Sequence, residues 1–91
     1  MDRVDSARDG AMLKAFIMIS LTPNSMGKLT EAVRKFPGVK RILTLTGEWD
    51  VCVEFEGETS EDLYAFHARM DGLTGLIENT LTSVVMKEFE P

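Results

Sequence analysis

Between Leu13 and Leu21 every odd position is apolar (Leu13, Ala15, Ile17, Ile19, Leu21), while Phe16 and Met18 fill the even positions between Lys14 and Ser20. An apolar period of two is the pattern of a strand. Here the second face is apolar too, and a strand hidden on both sides needs cover from two directions. Any fold for this chain has to supply that cover. At 91 residues the chain is one domain, because a core of this size does not divide into two units that each survive alone.

The rest of the sequence is punctuated at regular intervals. Thr22-Pro23-Asn24-Ser25 offers helix caps, and Met26, Leu29, Val33 and Phe36 follow at helical spacing until Pro37-Gly38 stops the helix. In "LTLTGEWDVCVEF" the β-rich runs Val39 to Thr46 and Trp49 to Glu56 flank Gly47-Glu48, a pair suited to a two-residue hairpin with positive φ at its first position. Thr59-Ser60-Glu61-Asp62 reads as a capping box before a second helix with apolar positions Leu63, Phe66 and Met70, which Gly72 ends. Ile77 to Phe89 is rich in threonine and β-branched residues and suits one long final strand. Phe36-Pro37-Gly38-Val39 and Leu73-Thr74-Gly75-Leu76 echo one another before the strand of each half. The polar stretch 1–12 reads as a leader, so the folded domain spans residues 13–91.

The order is therefore β-α-β-β-α-β. Two such βαβ halves with right-handed crossovers give the α+β ferredoxin-like arrangement, a four-stranded antiparallel sheet with two helices on one face. The helices leave one sheet face bare, and that second face is expected to carry Phe16, Met18 and Met86. A bare apolar patch is rare on a monomer, so the expected cover is a second copy in a two-fold dimer.

Several function classes are disfavoured. Apolar residues at 44% and charged residues at 27% describe a packed globular domain. The longest apolar run, Ala15 to Ile19, falls far short of the roughly 20 residues that span a bilayer, and the reading is a cytoplasmic protein without membrane partners. A net charge of -5, with no clustered bases, argues against direct nucleic-acid binding. The single cysteine, Cys52, sits in a strand pattern as a small hydrophobe. The single histidine, His67, has no metal-ligand spacing around it and reads as a packing or surface residue. Met18, Met26, Met70 and Met86 follow strand or helix periods, and the acids from Glu54 to Asp62 read as a solvated, helix-capping run. No cofactor, nucleotide or nucleophile motif is present, and the reading is that the chain is not an enzyme.

The segments "FPGVKRILTLTGEWDVCVEFEGETSEDLYAF" and "GLIENTLTSVVMKEF" resemble the effector-binding domain of the Lrp/AsnC (feast/famine) transcription regulators. The resemblance runs from about Leu13 to Phe89. It rests on the Pro37-Gly38-Val39 helix exit, the Thr46-Gly47-x-x-Asp50 hairpin, Leu63-Tyr64-x-Phe66 and Thr80-x-Thr82, in that order. It implies a domain that pairs through its sheet as a dimeric α+β barrel, joins dimers into larger rings, and binds an amino acid or related effector between dimers. It also implies a ligand-binding set of Thr46, Gly47, Glu48, Trp49, Asp50, Thr80 and Thr82. Trp49 departs from the tyrosine or phenylalanine that the family often carries before the acid. Full-length members add a helix-turn-helix domain, which twelve polar residues cannot build. The chain thus resembles the stand-alone sensor, one that works by mixed assembly with a DNA-binding relative.

Spacing alone leaves Asp50 open between a solvated turn residue and a ligand contact, and only the resemblance implies the second. Two other functions share the architecture. A small dimeric α+β-barrel enzyme, such as an antibiotic-biosynthesis-type monooxygenase, would need a polar cavity between sheet and helices lined by His67 or Tyr64. An ACT-like regulatory module would differ in how its subunits pair.

Overall fold

The computed structural model describes residues 12–91, so the leader expected over 1–12 lies, apart from Met12, outside the described residues. The elements are β1 (Leu13–Leu21), α1 (Met26–Val33), β2 (Val39–Thr44), β3 (Val51–Gly57), α2 (Ser60–Met70), a 3-10 stretch (Asp71–Leu76) and β4 (Ile77–Val84). The four strands lie in the order β2-β3-β1-β4, all antiparallel to their neighbours. This is the expected ferredoxin-like α+β fold.

Register explains the core. Ile17 stands opposite Val53 on one side and Thr82 on the other, and directly opposed residues share a face. The odd positions of β1 therefore meet Val51, Val53 and Phe55 beneath the helices, where Leu29, Val33, Phe66 and Met70 complete the buried cluster. Phe66 sits at its centre, with the Phe55 and Phe36 rings at 5.3 and 5.8 Å. The capping box forms as read: Thr59 Oγ1 accepts from the Glu61 N–H at 3.2 Å, and Asp62 accepts from the Glu58 and Thr59 N–H groups.

Five boundaries differ from expectation. Helix α1 ends at Val33 rather than Phe36, because the Lys35 and Phe36 N–H groups bond three residues back, to Ala32 and Val33, and tighten the exit. Gly38, at φ +88°, then supplies the left-handed residue. The two-residue hairpin is replaced by a wider loop: the β2–β3 ladder stops at Thr44 opposite Val51. One further bond, Leu45 N–H to the Asp50 carbonyl at 2.9 Å, closes it. Trp49 and Asp50 precede β3, although Asp50 still bonds on both sides, to Leu45 and to Ile19 of β1. Gly47 keeps its positive φ of +111°.

Gly72 does not end α2, which passes after Met70 directly into the 3-10 stretch. Among the described glycines only Gly38 and Gly47 have positive φ, so the echo between the halves does not extend to the backbone of Gly75. The last strand stops at Val84 instead of Phe89. An edge strand persists only as far as its single neighbour, and β1 starts at Leu13; one bond from Val85 N–H to the Lys14 carbonyl is the last. Met86 is consequently beyond the sheet and not on its second face. Leu81, opposite Met18, takes that place beside Phe16, Leu43 and Cys52. No helix among the described residues is long and apolar enough to cross a membrane.

Candidate functional site

The loop Thr46–Asp50 projects from the end of the sheet where β1 finishes and β4 begins. Thr46, Gly47 and Glu48 are exposed, and Trp49 and Asp50 are half-buried. Asp50 anchors the loop with three bonds. Its N–H donates to the Ile19 carbonyl at 2.9 Å, its carbonyl accepts from Leu45, and its carboxylate Oδ2 accepts from the Leu21 N–H at 2.8 Å. The turn thus uses its acid, which satisfies a strand-end donor that would otherwise lack a partner. Gly47 has open space around its Cα, and among the described residues the N–H groups of Thr46, Gly47, Glu48 and Trp49 make no hydrogen bond. Such a row of free donors suits a carboxylate or another anion.

Thr80 and Thr82 do point to one face, since they stand opposite Ile19 and Ile17. That face is the helix side. Thr82 Oγ1 lies 3.0 Å from His67 Nε2, and the His67 ring meets the Phe66 ring edge-on. Thr80 is exposed and lines a cavity of about 370 Å³ with His67, Met70, Asp71 and Glu78. Thr80 and Asp50 flank Ile19 from opposite sides, one strand apart, or about 10 Å at the usual strand spacing. The structure therefore brings Thr46 to Asp50 and Thr80 to the same end of the sheet. It does not close them into one pocket within a single chain, because no loop residue lines the cavity beside Thr80.

His67 packs its half-buried ring against Phe66, in keeping with a packing role, and in addition bonds Thr82 and shares the cavity wall with Thr80. Its only local signal is its position next to core residue Phe66 on α2, at the border of the helix's buried face. Tyr64 is exposed and borders neither cavity. The space between sheet and helices, where an enzyme of this architecture would need a polar chamber, is filled by Ile17, Val53, Phe55 and Phe66. A second cavity of about 410 Å³ lies at the opposite end, floored by Phe55 and Phe66 and edged by Glu56, Glu58, Asp62 and Arg69. Among the described residues no group of three or more His, Cys, Asp or Glu side chains is placed to hold a metal ion.

On the bare sheet face, Arg41 grips Glu54 through two bonds, Nε to Oε1 at 2.9 Å and Nη2 to Oε2 at 2.7 Å. The Arg41 hydrogen bonds, seconded by its charge, hold the Glu54 carboxyl below its usual range. Cys52 is buried there between Met18 and Leu43. Burial, then the nearby Glu54 charge, pushes its thiol pKa up, so it behaves as packing rather than as a nucleophile.

A family profile described as the Lrp/AsnC ligand binding domain matches residues 14–91. The HTH-type transcriptional regulator FL11 of Pyrococcus horikoshii is 25% identical over 84 residues, covering 92% of this chain and 55% of that protein. The chain spans about half the length of the curated relatives that it matches. Among solved structures, FFRP-DM1 superposes with a TM-score of 0.73 at 26% identity, over 81% of this chain and 99% of that one. The Neisseria meningitidis regulator NMB0573, solved as a complex with L-methionine, superposes with a TM-score of 0.78 at 22% identity, over 100% of this chain and 61% of that one. With the βαββαβ order and its strand register already in place, the profile match establishes that this chain belongs to the Lrp/AsnC family, as its ligand-binding domain.

Proposed function

We propose that the chain is a non-enzymatic sensor of an amino acid or a closely related effector. In this reading the effector's carboxylate meets the free N–H groups of Thr46, Gly47, Glu48 and Trp49, and its amino group meets the Asp50 carboxylate. Thr80 and Thr82 contribute hydroxyls from a neighbouring subunit. The loop and the threonines stand apart in one chain, so a complete site needs two copies. The observation that carries this reading is the loop itself: unpaired donors beside a fixed carboxylate suit a zwitterion. Asp50 still has acceptor capacity after bonding Leu21, since a carboxylate offers about four lone-pair sites.

Copies pair through the bare face of Phe16, Met18, Leu43 and Leu81, and pairs assemble further so that loops meet threonines. In this reading the chain acts on transcription by mixed assembly with a DNA-binding relative, and its net charge of -5 opposes direct contact of this domain with DNA. A cytoplasmic setting fits this role. The test is a thermal-shift screen with the twenty amino acids, followed by calorimetry on any that shift. A true effector at 100 times its Kd adds about 2.7 kcal/mol of stability. Stabilisation by at least one amino acid, with a stoichiometry tied to assembly, is expected; twenty flat responses at millimolar ligand would retire the reading.

A further inference from the structure

Beyond Val84 the chain continues as an arm, Val85 to Pro91, whose residues are all exposed from Met86 onward. Met86 is 97% exposed and Phe89 is 83% exposed, although both are large apolar side chains. The arm is nevertheless directed. Lys14 stands opposite Glu56 and next to Ala15 on β1, so by strand alternation its side chain belongs to the bare face. Its Nζ lies 3.1 Å from Glu88 Oε1, while the Val85 N–H donates to its carbonyl at 2.8 Å. Together these contacts hold the arm on the side of the sheet that carries Phe16, Met18, Leu43 and Leu81. The arm does not fold back over that face, where Phe16 remains 40% exposed and Leu81 51% exposed.

One surface thus holds both a seat without an occupant and an apolar arm without a seat. A two-fold axis makes such a surface complementary to itself, because each copy offers what the other lacks. Length permits the exchange. Seven extended residues reach about 23 Å, whereas the outer strands of a four-stranded sheet are about 14 Å apart.

We propose that the Val85–Pro91 arm is an exchanged element of a two-fold interface, crossing onto a second copy of this chain and seating Met86 and Phe89 against the border of its Phe16, Met18, Leu43 and Leu81 face. The inference rests on the reading that copies pair through this face, and adds to it the segment that clasps the partner.

The test measures the dimer Kd by sedimentation equilibrium for the parent and for the double variant Met86→Ser with Phe89→Ser, whose exposed sites leave the fold unchanged by circular dichroism. A rise in Kd of at least tenfold is expected. In addition, a spin label on Glu90→Cys in a Cys52→Ser background, mixed with isotope-labelled parent, should broaden the amide signals of Leu43 and Leu81 in the unlabelled-spin copy. A monomeric parent would overturn the pairing reading and this inference together. A parent dimer that the double variant matches in Kd would overturn the arm alone. So would a weakened dimer without broadening between copies.

Discussion

The Leu21 N–H donates to Asp50 Oδ2 across 2.8 Å, which ties the far end of β1 to the base of a loop 29 residues away in sequence. The same carboxylate is the charged group of the proposed effector site. Asp50 therefore has two duties, and substitutions can separate them.

Asp50→Ala removes an acceptor from a partly buried backbone donor, a loss of about 1 to 3 kcal/mol. Asp50→Asn keeps an oxygen for Leu21 but gives up the charge. We expect urea midpoints to fall for the alanine variant and to recover most of the way for the asparagine variant. Effector affinity by calorimetry should fall at least tenfold in both. Parent-like binding by Asp50→Asn would leave the carboxylate as an anchor only.

Gly38 and Gly47 both have positive φ but differ in their surroundings. A Cβ on Gly38 would run into Phe55 Cε1 and lie 2.9 Å from the Glu56 carbonyl oxygen, whereas a Cβ on Gly47 meets nothing within 4 Å. Gly38→Ala combines backbone strain with overpacking against a core ring, about 3 kcal/mol in all. Gly47→Ala carries the backbone strain alone, about 1 kcal/mol. Thermal melts should separate the two variants by more than 5 °C, at roughly 4–8 °C per kcal/mol for a domain of this size. Equal melting points would mean that the Phe55 contact yields without cost.

The readable parts of this fold were local. Leu13 to Leu21 announced its strand through its own alternation, and Thr59 to Asp62 announced its cap within four residues. What stayed hidden depended on partners distant in sequence. The stop at Val84 is set by where β1 begins, and the face taken by Leu81 by its pairing with Met18. Similarly, the widened loop follows from the attachment of Asp50 to Ile19 and Leu21, and the position of His67 beside the threonines follows from a bond to Thr82. For the candidate site, the resemblance rather than any local spacing implied Thr46 to Asp50, Thr80 and Thr82 with an effector between dimers, and the separation of loop and threonines within one chain follows from strand order, which no local pattern shows.

The Arg41–Glu54 pair gives a pH signature. The folded pKa of Glu54 lies below its ordinary value of 4.5, first because Arg41 donates to the carboxylate and then because of its charge. A depressed carboxyl pKa stabilises the folded state at pH values above the unfolded value, and the effect fades as pH falls through the folded value. Arg41→Ala should therefore flatten the loss of stability below about pH 4.5 and leave the slope between pH 6 and 8 unchanged. The effect should shrink in high salt, because Arg41 is exposed. Urea midpoints measured across pH 3 to 8 decide it, and a slope below pH 4.5 identical to that of the parent would remove the pair from the acid response.

The bare face makes a separate demand on assembly. Leu81 is about half exposed, opposite Met18, and far from the helix-side core, so a charge there is tolerated by an isolated chain. In a face-to-face pair the same charge would be buried without a partner, at a cost of several kcal/mol for each of two symmetric copies. Since each 1.4 kcal/mol is a factor of ten in Kd, Leu81→Asp should shift a micromolar sample from dimer or larger to monomer by light scattering. Its circular dichroism should match the parent. The exposed residue Tyr64 supplies the control, because it lies on α2 on the opposite side of the sheet, and Tyr64→Asp should leave the mass unchanged if pairing uses the sheet. A dimer that survives Leu81→Asp but dissociates with Tyr64→Asp would place the contact on the helices instead.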